Sequence, residues 1–212
     1  MIPDGSLFPL VIPAERLVAT VVFVVVYGFR LAFQAFLLRR RDKTGERGDW
    51  GELLLVVVPK NILVLVVPYL LLTTTPFTSI FLLGWIVFLL GIAIRLVALK
   101  QLGPMYSLNV DIRNDHKLVE VGLFAWIRHP LYFAYVLDTL GIVIFLQEVI
   151  IALVLVPITV GIIIRTRTEE KSLRKAFGAG YDQYSERVAG FNPVATYWRT
   201  RRGRGGVTGL RK

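Results

Sequence analysis

The sequence predicts an all-α integral membrane protein: one helical bundle of about five transmembrane helices, followed by a cytoplasmic C-terminal helical segment. Three observations predict it. The 212 residues are 55% hydrophobic with a mean hydropathy of +0.61, a level that soluble domains of this size rarely reach. Apolar runs close to the ~20 residues that span ~30 Å of hydrocarbon recur along the chain. Lys and Arg, which give a net charge of +10, collect in alternate links between those runs.

The segment before the first run holds Pro3, Pro9 and Pro13 and lacks a basic stretch. It does not read as a cleaved signal peptide, so the first run is expected to be retained. That run, 17–38, is interrupted by Arg30 and Gln34 and is followed by Arg39, Arg40, Arg41 and Lys43. The second, 53–72, contains Pro59 and Pro68, each of which removes a backbone donor and predicts a kink. A short uncharged link leads to the third, 77–99, which ends at Lys100. Residues 100–129 are polar. The apolar stretch 131–164 is too long for one span at ~1.5 Å per residue, and Gln147 with Glu148 divides it into spans 131–146 and 149–164. Beyond it the spacing predicts a helix over 165–176 and a shorter one over 181–188, separated by Gly178 and Gly180. The Arg- and Gly-rich tail 199–212 is expected to be disordered. Beside a membrane such a tail meets anionic headgroups at ~1 kcal/mol per cation, and no specific nucleic acid is expected.

Basic residues after the first, third and fifth runs, and none in the opposing links, place the N-terminus outside and the C-terminus in the cytoplasm. Arg30, Lys60, Arg95 and Asp138 lie within the apolar runs, ~8 to 12 Å from the cytoplasmic ends at helical rise. The cations reach inner-leaflet headgroups by snorkelling, or they pair inward. Asp138 needs a cation at that depth; Arg30 and Arg95 are the candidates, and together they would wall a polar chamber.

Cysteine is absent, which removes disulfides, thiolate metal sites and a cysteine nucleophile. Neither histidine sits in a metal-ligand spacing, so no metal is expected. The chemistry-bearing stretch is Asp115 to Tyr132, with His116, Lys117, Trp126, Arg128, His129 and Tyr132; a second block, Arg165 to Glu170, directly follows the last apolar run. Arg165 and Glu169 are four apart and share a helix face. A guanidinium holds a carboxylate, Glu169 holds an ammonium, and Trp126 or Tyr132 lies against a planar or cationic group. Such a site suits a ligand with charges of both signs and an apolar body. The bland alternatives are an interfacial belt for Trp126 and Tyr132, and pairing of Glu169 and Glu170 with Lys171 and Arg174 on a solvated helix.

The sequence His-x-Leu-Val over His116 to Val119, then Gly122, then Arg-His-Pro-x-Tyr over Arg128 to Tyr132, is followed about 35 residues later by Arg-x-x-x-Glu-Glu over Arg165 to Glu170 and by Phe-Gly-x-x-Tyr-x-x-Tyr from Phe177. This combination resembles the isoprenylcysteine carboxyl methyltransferase family over roughly 103–193, and more distantly the phospholipid N-methyltransferases. The resemblance implies a pocket for S-adenosyl-L-methionine at the cytoplasmic membrane surface without a Rossmann domain. It assigns cofactor contacts to His116, Lys117, Leu118, Val119, Phe124, His129, Pro130, Leu131, Tyr132 and Glu169. Phe124 stands where the family usually has Tyr, so it lacks the hydroxyl contact. Arg165 falls to the acceptor, which makes Arg165 and Glu169 the catalytic pair. The implied activity is methylation of a lipophilic carboxylate, such as that of a prenylated cysteine, delivered from the bilayer. Five spans suit the family's shorter prokaryotic form, hence a prokaryotic cell membrane. Left open are a phospholipid amine N-methyltransferase, an NADPH enzyme related to sterol reductases, and a small channel or scaffold built around Asp138.

Overall fold

The computed structural model describes residues 12–39, 50–106 and 118–206, and the side chains at 37–39, 50–57, 59–61, 104, 150 and 202–206 are outside that description. Lys60, which the sequence places within an apolar run, is among the latter. Helices α1 (Ala14–Arg39), α2 (Trp50–Thr73), α3 (Ser79–Leu102), α4 (Pro130–Leu146), α5 (Val149–Ala152), α6 (Leu155–Phe177), α7 (Ala179–Arg187) and α8 (Pro193–Gly206) follow one another with two 3-10 turns, Gly103–Met105 and Gly122–Ala125, and no strand occurs among the described residues.

The α3–α4 pair is the centre of the bundle, and glycine makes it possible. A Cβ on Gly84 would fall onto the backbone of Phe145, one on Gly141 onto that of Phe88, and one on Gly91 onto that of Asp138. Without those side chains the two backbones meet closely, which is how helices associate where lipid supplies no hydrophobic drive. Rings fill the remaining space. Phe23 of α1 stacks on Phe88 at 5.5 Å, and Trp85 stacks on Phe145 at 5.3 Å. From α2, Leu63, Val67 and Leu71 recur every fourth residue and are fully buried against this cluster. The outward faces of α1 and α3 carry Leu17, Val21, Val25, Phe29, Ile80, Leu83 and Ile86, all exposed; in a bilayer such a face meets acyl chains. By length and composition, Ala14–Phe36 and Ser79–Leu102 each suffice to cross a membrane, and Ile62–Thr73 and Pro130–Leu146 are shorter apolar helices.

The end of the bundle opposite the site is tied by Gln147. It ends α4 in a left-handed conformation (φ 57°), donates to the Pro76 carbonyl at 3.1 Å and lies 3.2 Å from the Thr78 hydroxyl. Gln147 therefore divides the long apolar stretch, as the sequence predicts.

Three elements differ from expectation. The run 149–164, expected as one span, is broken at residues 153–154 into α5 and α6, because Pro157 has no N–H for the Leu153 carbonyl and its ring crowds that turn. The sequence separates a span ending at 164 from a helix beginning at 165, but α6 is one helix through both; the change of polarity at Arg165 marks a change of surroundings, not a helix end. It stops at Gly178, whose positive φ of 51° closes the last turn with an N–H bond to the Arg174 carbonyl. The tail expected to be disordered from Arg199 is helical to Gly206, the last described residue. The reason is a strong start: Asn192 Oδ1 accepts the N–H groups of Val194 and Ala195 at 3.0 and 3.1 Å, and Pro193 occupies the first helical position.

Candidate active site

The site forms where α4 begins. Pro130 opens that helix, a position where its missing N–H costs nothing and its fixed φ is pre-set for the helix. His129 and Tyr132 thereby face α6. Tyr132 hydrogen-bonds with both Arg165 and Glu169, residues one turn apart on α6. A guanidinium only donates and a carboxylate only accepts, so Arg165 donates to the phenol oxygen and the phenol O–H donates to Glu169. This relay joins the acidic and basic members of the second sequence block through the tyrosine of the first.

His129 sits between two carboxylates. Its Nε2 lies 3.1 Å from Glu170 Oε1, and its Nδ1 lies 3.8 Å from Glu169 Oε2. Arg128 Nη2 reaches the same Glu170 oxygen at 2.9 Å. The hydrogen bond from His129, followed by the charge of Arg128, holds the Glu170 carboxyl below the usual carboxylate range, although burial opposes it. The imidazole is flanked by Phe191 at 5.6 Å and Tyr132 at 5.9 Å.

Chain from far downstream fixes this corner. The N–H groups of Arg128 and His129 donate to the carbonyls of Ala189 and Gly190 at 3.0 and 3.1 Å. Thr196 of α8 donates to the Trp126 carbonyl and accepts the Ala189 N–H, both at 2.8 Å. Tyr184 of α7 donates to the Phe124 carbonyl at 2.7 Å. Tyr181, its hydroxyl pushed up to about 12 chiefly by burial, lies under the Arg128 guanidinium at 5.9 Å. At Gly122 the φ of 64° is left-handed and the Gln101 side chain occupies the place of a Cβ, so any other residue would be strained and would displace Gln101.

Of the residues assigned from sequence, His129, Tyr132, Arg165 and Glu169 come together in one cluster. Pro130 is buried at the start of α4, and Leu131 beside it is half-buried. Leu118 packs on Tyr181, Tyr184 and Val188, and Val119 next to it is half-buried. Phe124 is buried. His116 and Lys117 lie outside the described residues. Trp126 is 51% exposed. Sequence reasoning missed the partnership of Arg128 with Glu170; the signal was two doublets, Arg128-His129 and Glu169-Glu170, whose members pair across the site. It also missed Tyr184, Asn192 and Thr196, which act through backbone groups that no motif displays.

Deeper in the bundle, Arg95 is the cation that meets Asp138, Nε to Oδ2 at 3.6 Å, with its guanidinium 4.8 Å from the Tyr135 ring. Arg30 turns instead to Tyr27, donating to its hydroxyl at 2.9 Å. Neither arginine snorkels: they are 4% and 5% exposed.

Three comparisons bear on this site. Residues 82–175 match the isoprenylcysteine carboxyl methyltransferase (ICMT) family. The matched stretch contains most of α3, all of α4, both motif doublets and Arg165, and the resemblance carried by those residues is borne out. Protein-S-isoprenylcysteine O-methyltransferases of Saccharomyces cerevisiae and Schizosaccharomyces pombe are 30% and 33% identical over 117 and 111 residues, each covering 50% of this chain and 46% of the relative. The enzyme of Rattus norvegicus is 32% identical over 109 residues, 50% of this chain and 38% of its own length. The chain thus spans less than half the length of the curated relatives it matches. These relatives are eukaryotic and lend no support to a prokaryotic origin. The structure of the eukaryotic intramembrane Ras methyltransferase ICMT superposes with a TM-score of 0.52 at 18% identity, over 81% of this chain and 67% of that one. At that identity the likeness shows a shared fold, an all-helical ICMT bundle.

Proposed function

We propose that this ICMT-like chain is a membrane methyltransferase that uses S-adenosyl-L-methionine to methylate a lipophilic carboxylate, prenylated or lipid, at the cytoplasmic membrane surface. The observation that carries it is the Arg165–Tyr132–Glu169 relay, set at the membrane end of α4 within the stretch matched to the family. In the same reading the bundle has five spans, with the N-terminus outside and the C-terminus in the cytoplasm.

The donor set suits a zwitterionic sulfonium. Glu169, held by Tyr132 and lying near His129, keeps a side chain 32% exposed, leaving a lone-pair face for the ligand's ammonium. The rings of His129, Tyr132 and Phe191 supply an aromatic wall for a cation or an adenine. Pro130 and Leu131 complete that wall, and Val119, His116 and Lys117 are further cofactor contacts in this reading. Leu118 and Phe124, seated on α7, hold the segment in place. When bound, the cofactor supplies an electrophilic methyl group. Arg165 orients the acceptor carboxylate, which has a reference pKa of ~3.3 to 3.7 and attacks without a general base. Alignment and exclusion of water then supply the acceleration.

The test is titration with S-adenosylhomocysteine, followed by incubation of the full chain with labelled cofactor and a membrane lipid extract. Saturable binding and a base-labile labelled ester are expected. Binding of NADPH in place of S-adenosylhomocysteine, or label in a base-stable methylamine, would overturn the reading.

A further inference from the structure

Among the described residues, Arg30 is a buried guanidinium inside the bundle without an acidic partner of its own. Among the described residues it forms no ion pair; its contacts are the Tyr27 hydroxyl at 2.9 Å and the face of that ring at 4.8 Å, and its Nε has no hydrogen-bond partner. The nearby carboxylate, Asp138, is paired with Arg95. One turn further along α1, Gln34 donates to the Tyr106 hydroxyl at 2.9 Å, which leaves the phenol O–H directed away from Gln34 as a donor. Tyr106 lies in the combined field of Arg95, Arg30 and Arg165. The Tyr106 hydroxyl, bonded to Gln34 of α1, thus lies within electrostatic reach of Arg165 on α6. Burying an unbalanced cation in the membrane is costly, and a snorkelling cation would lie exposed at the lipid boundary. Arg30 is instead held inward.

We propose that Arg30, Gln34 and Tyr106 form an anion-binding subsite in the inner half of the membrane, which takes a second acidic group, carboxylate or phosphate, on the lipophilic acceptor. This rests on the reading of Arg165 as the acceptor residue, because the subsite adjoins it. The preferred acceptor is then an acidic amphiphile with two anionic groups near its head. Arg165 orients the group that is methylated, and Arg30 neutralises the one that is not.

The test uses the full chain in an uncharged detergent at about pH 7, with dodecyl phosphate, dodecyl phosphocholine and inorganic phosphate as probes followed by their 31P resonances. Dodecyl phosphate should bind at least tenfold more tightly than dodecyl phosphocholine, and a tenfold excess of inorganic phosphate should not displace it. Arg30→Gln should weaken dodecyl phosphate about tenfold, and Arg30→Lys should retain most of the affinity. Gln34→Glu, at a half-buried and more tolerant position, should repel it by a similar factor. S-adenosylhomocysteine binding, unchanged in each variant, reports that the fold and cofactor site are intact. Unchanged dodecyl phosphate affinity in folded Arg30→Gln or Gln34→Glu, or equal binding of the two amphiphiles, would overturn the subsite. Displacement by inorganic phosphate would overturn its assignment to a lipophilic acceptor. Failure of the wild-type chain to bind S-adenosylhomocysteine would sink the methyltransferase reading while leaving the 31P result to be judged on its own.

Discussion

Glu169 and Glu170 are adjacent and chemically identical, yet the fold gives them different work. Glu170 is consumed by Arg128 and His129, whereas Glu169 keeps one face open. Arg165→Ala should therefore lower kcat/KM at least tenfold with nearly unchanged S-adenosylhomocysteine affinity, while Glu169→Gln should weaken that affinity several-fold, since a charge-assisted bond is worth ~1.5 to 3 kcal/mol. Steady-state kinetics with equilibrium binding separates the two, and equal loss of cofactor binding in both variants would reject the division. Glu170 makes a different prediction. Its folded pKa is depressed below the reference of 4.5, so the stability it contributes is present above that value and lost as pH falls through the folded pKa. Thermal unfolding should show a loss below about pH 4.5 in the wild type, and Glu170→Gln should flatten that limb while lowering stability at neutral pH. The sequence displayed the four-residue spacing of Arg165 and Glu169 but not their link through Tyr132. Helical period reports what shares a face on one element, not what another element brings opposite it.

Among the elements, the apolar helices were legible because length and composition suffice to define them, and α1 to α4 lie within a few residues of the predicted runs. The helix at 193–206 was hidden by its composition: Arg and Gly suggest disorder, and the deciding signal is a single Asn-Pro start. The glycines of α3 and α4 were equally silent, since small residues show their purpose only once a second backbone lies against them. They give a contrast within one residue type. Gly84→Val should force α3 from α4 and destabilise the bundle by roughly 1 to 3 kcal/mol, because its Cβ would meet the Phe145 backbone. Gly28→Ala, with nothing within 4 Å of the new methyl, should be neutral or stabilising by up to about 1 kcal/mol in this helix. Thermal melts in one detergent measure both; a Gly84→Val protein as stable as the wild type would mean the α3–α4 approach is not close.

At the scale of the whole molecule, the two motif blocks lie about 35 residues apart in the chain, and the first is held by main-chain contacts from about 60 residues downstream that no motif records. The Arg128-His129 backbone is received by Ala189 and Gly190, and Thr196 clamps that junction from α8 by bonding Trp126 and Ala189 together. The site is thus closed by a helix beyond the stretch that matches the family, which ends at residue 175. If that closure matters, removing one hydroxyl on α8 should be felt at His129. Thr196→Val keeps the size and the burial of the side chain but leaves the Ala189 N–H and the Trp126 carbonyl without their bonds, a cost of about 1 to 3 kcal/mol for a buried group left unsatisfied. That penalty falls on the conformation that presents His129, so S-adenosylhomocysteine affinity should drop several-fold. Thr196→Ser, which restores the hydroxyl, should recover most of it. The comparison is made by calorimetry on folded variants of equal secondary structure. Wild-type affinity in Thr196→Val would show that α8 rests on the site without shaping it.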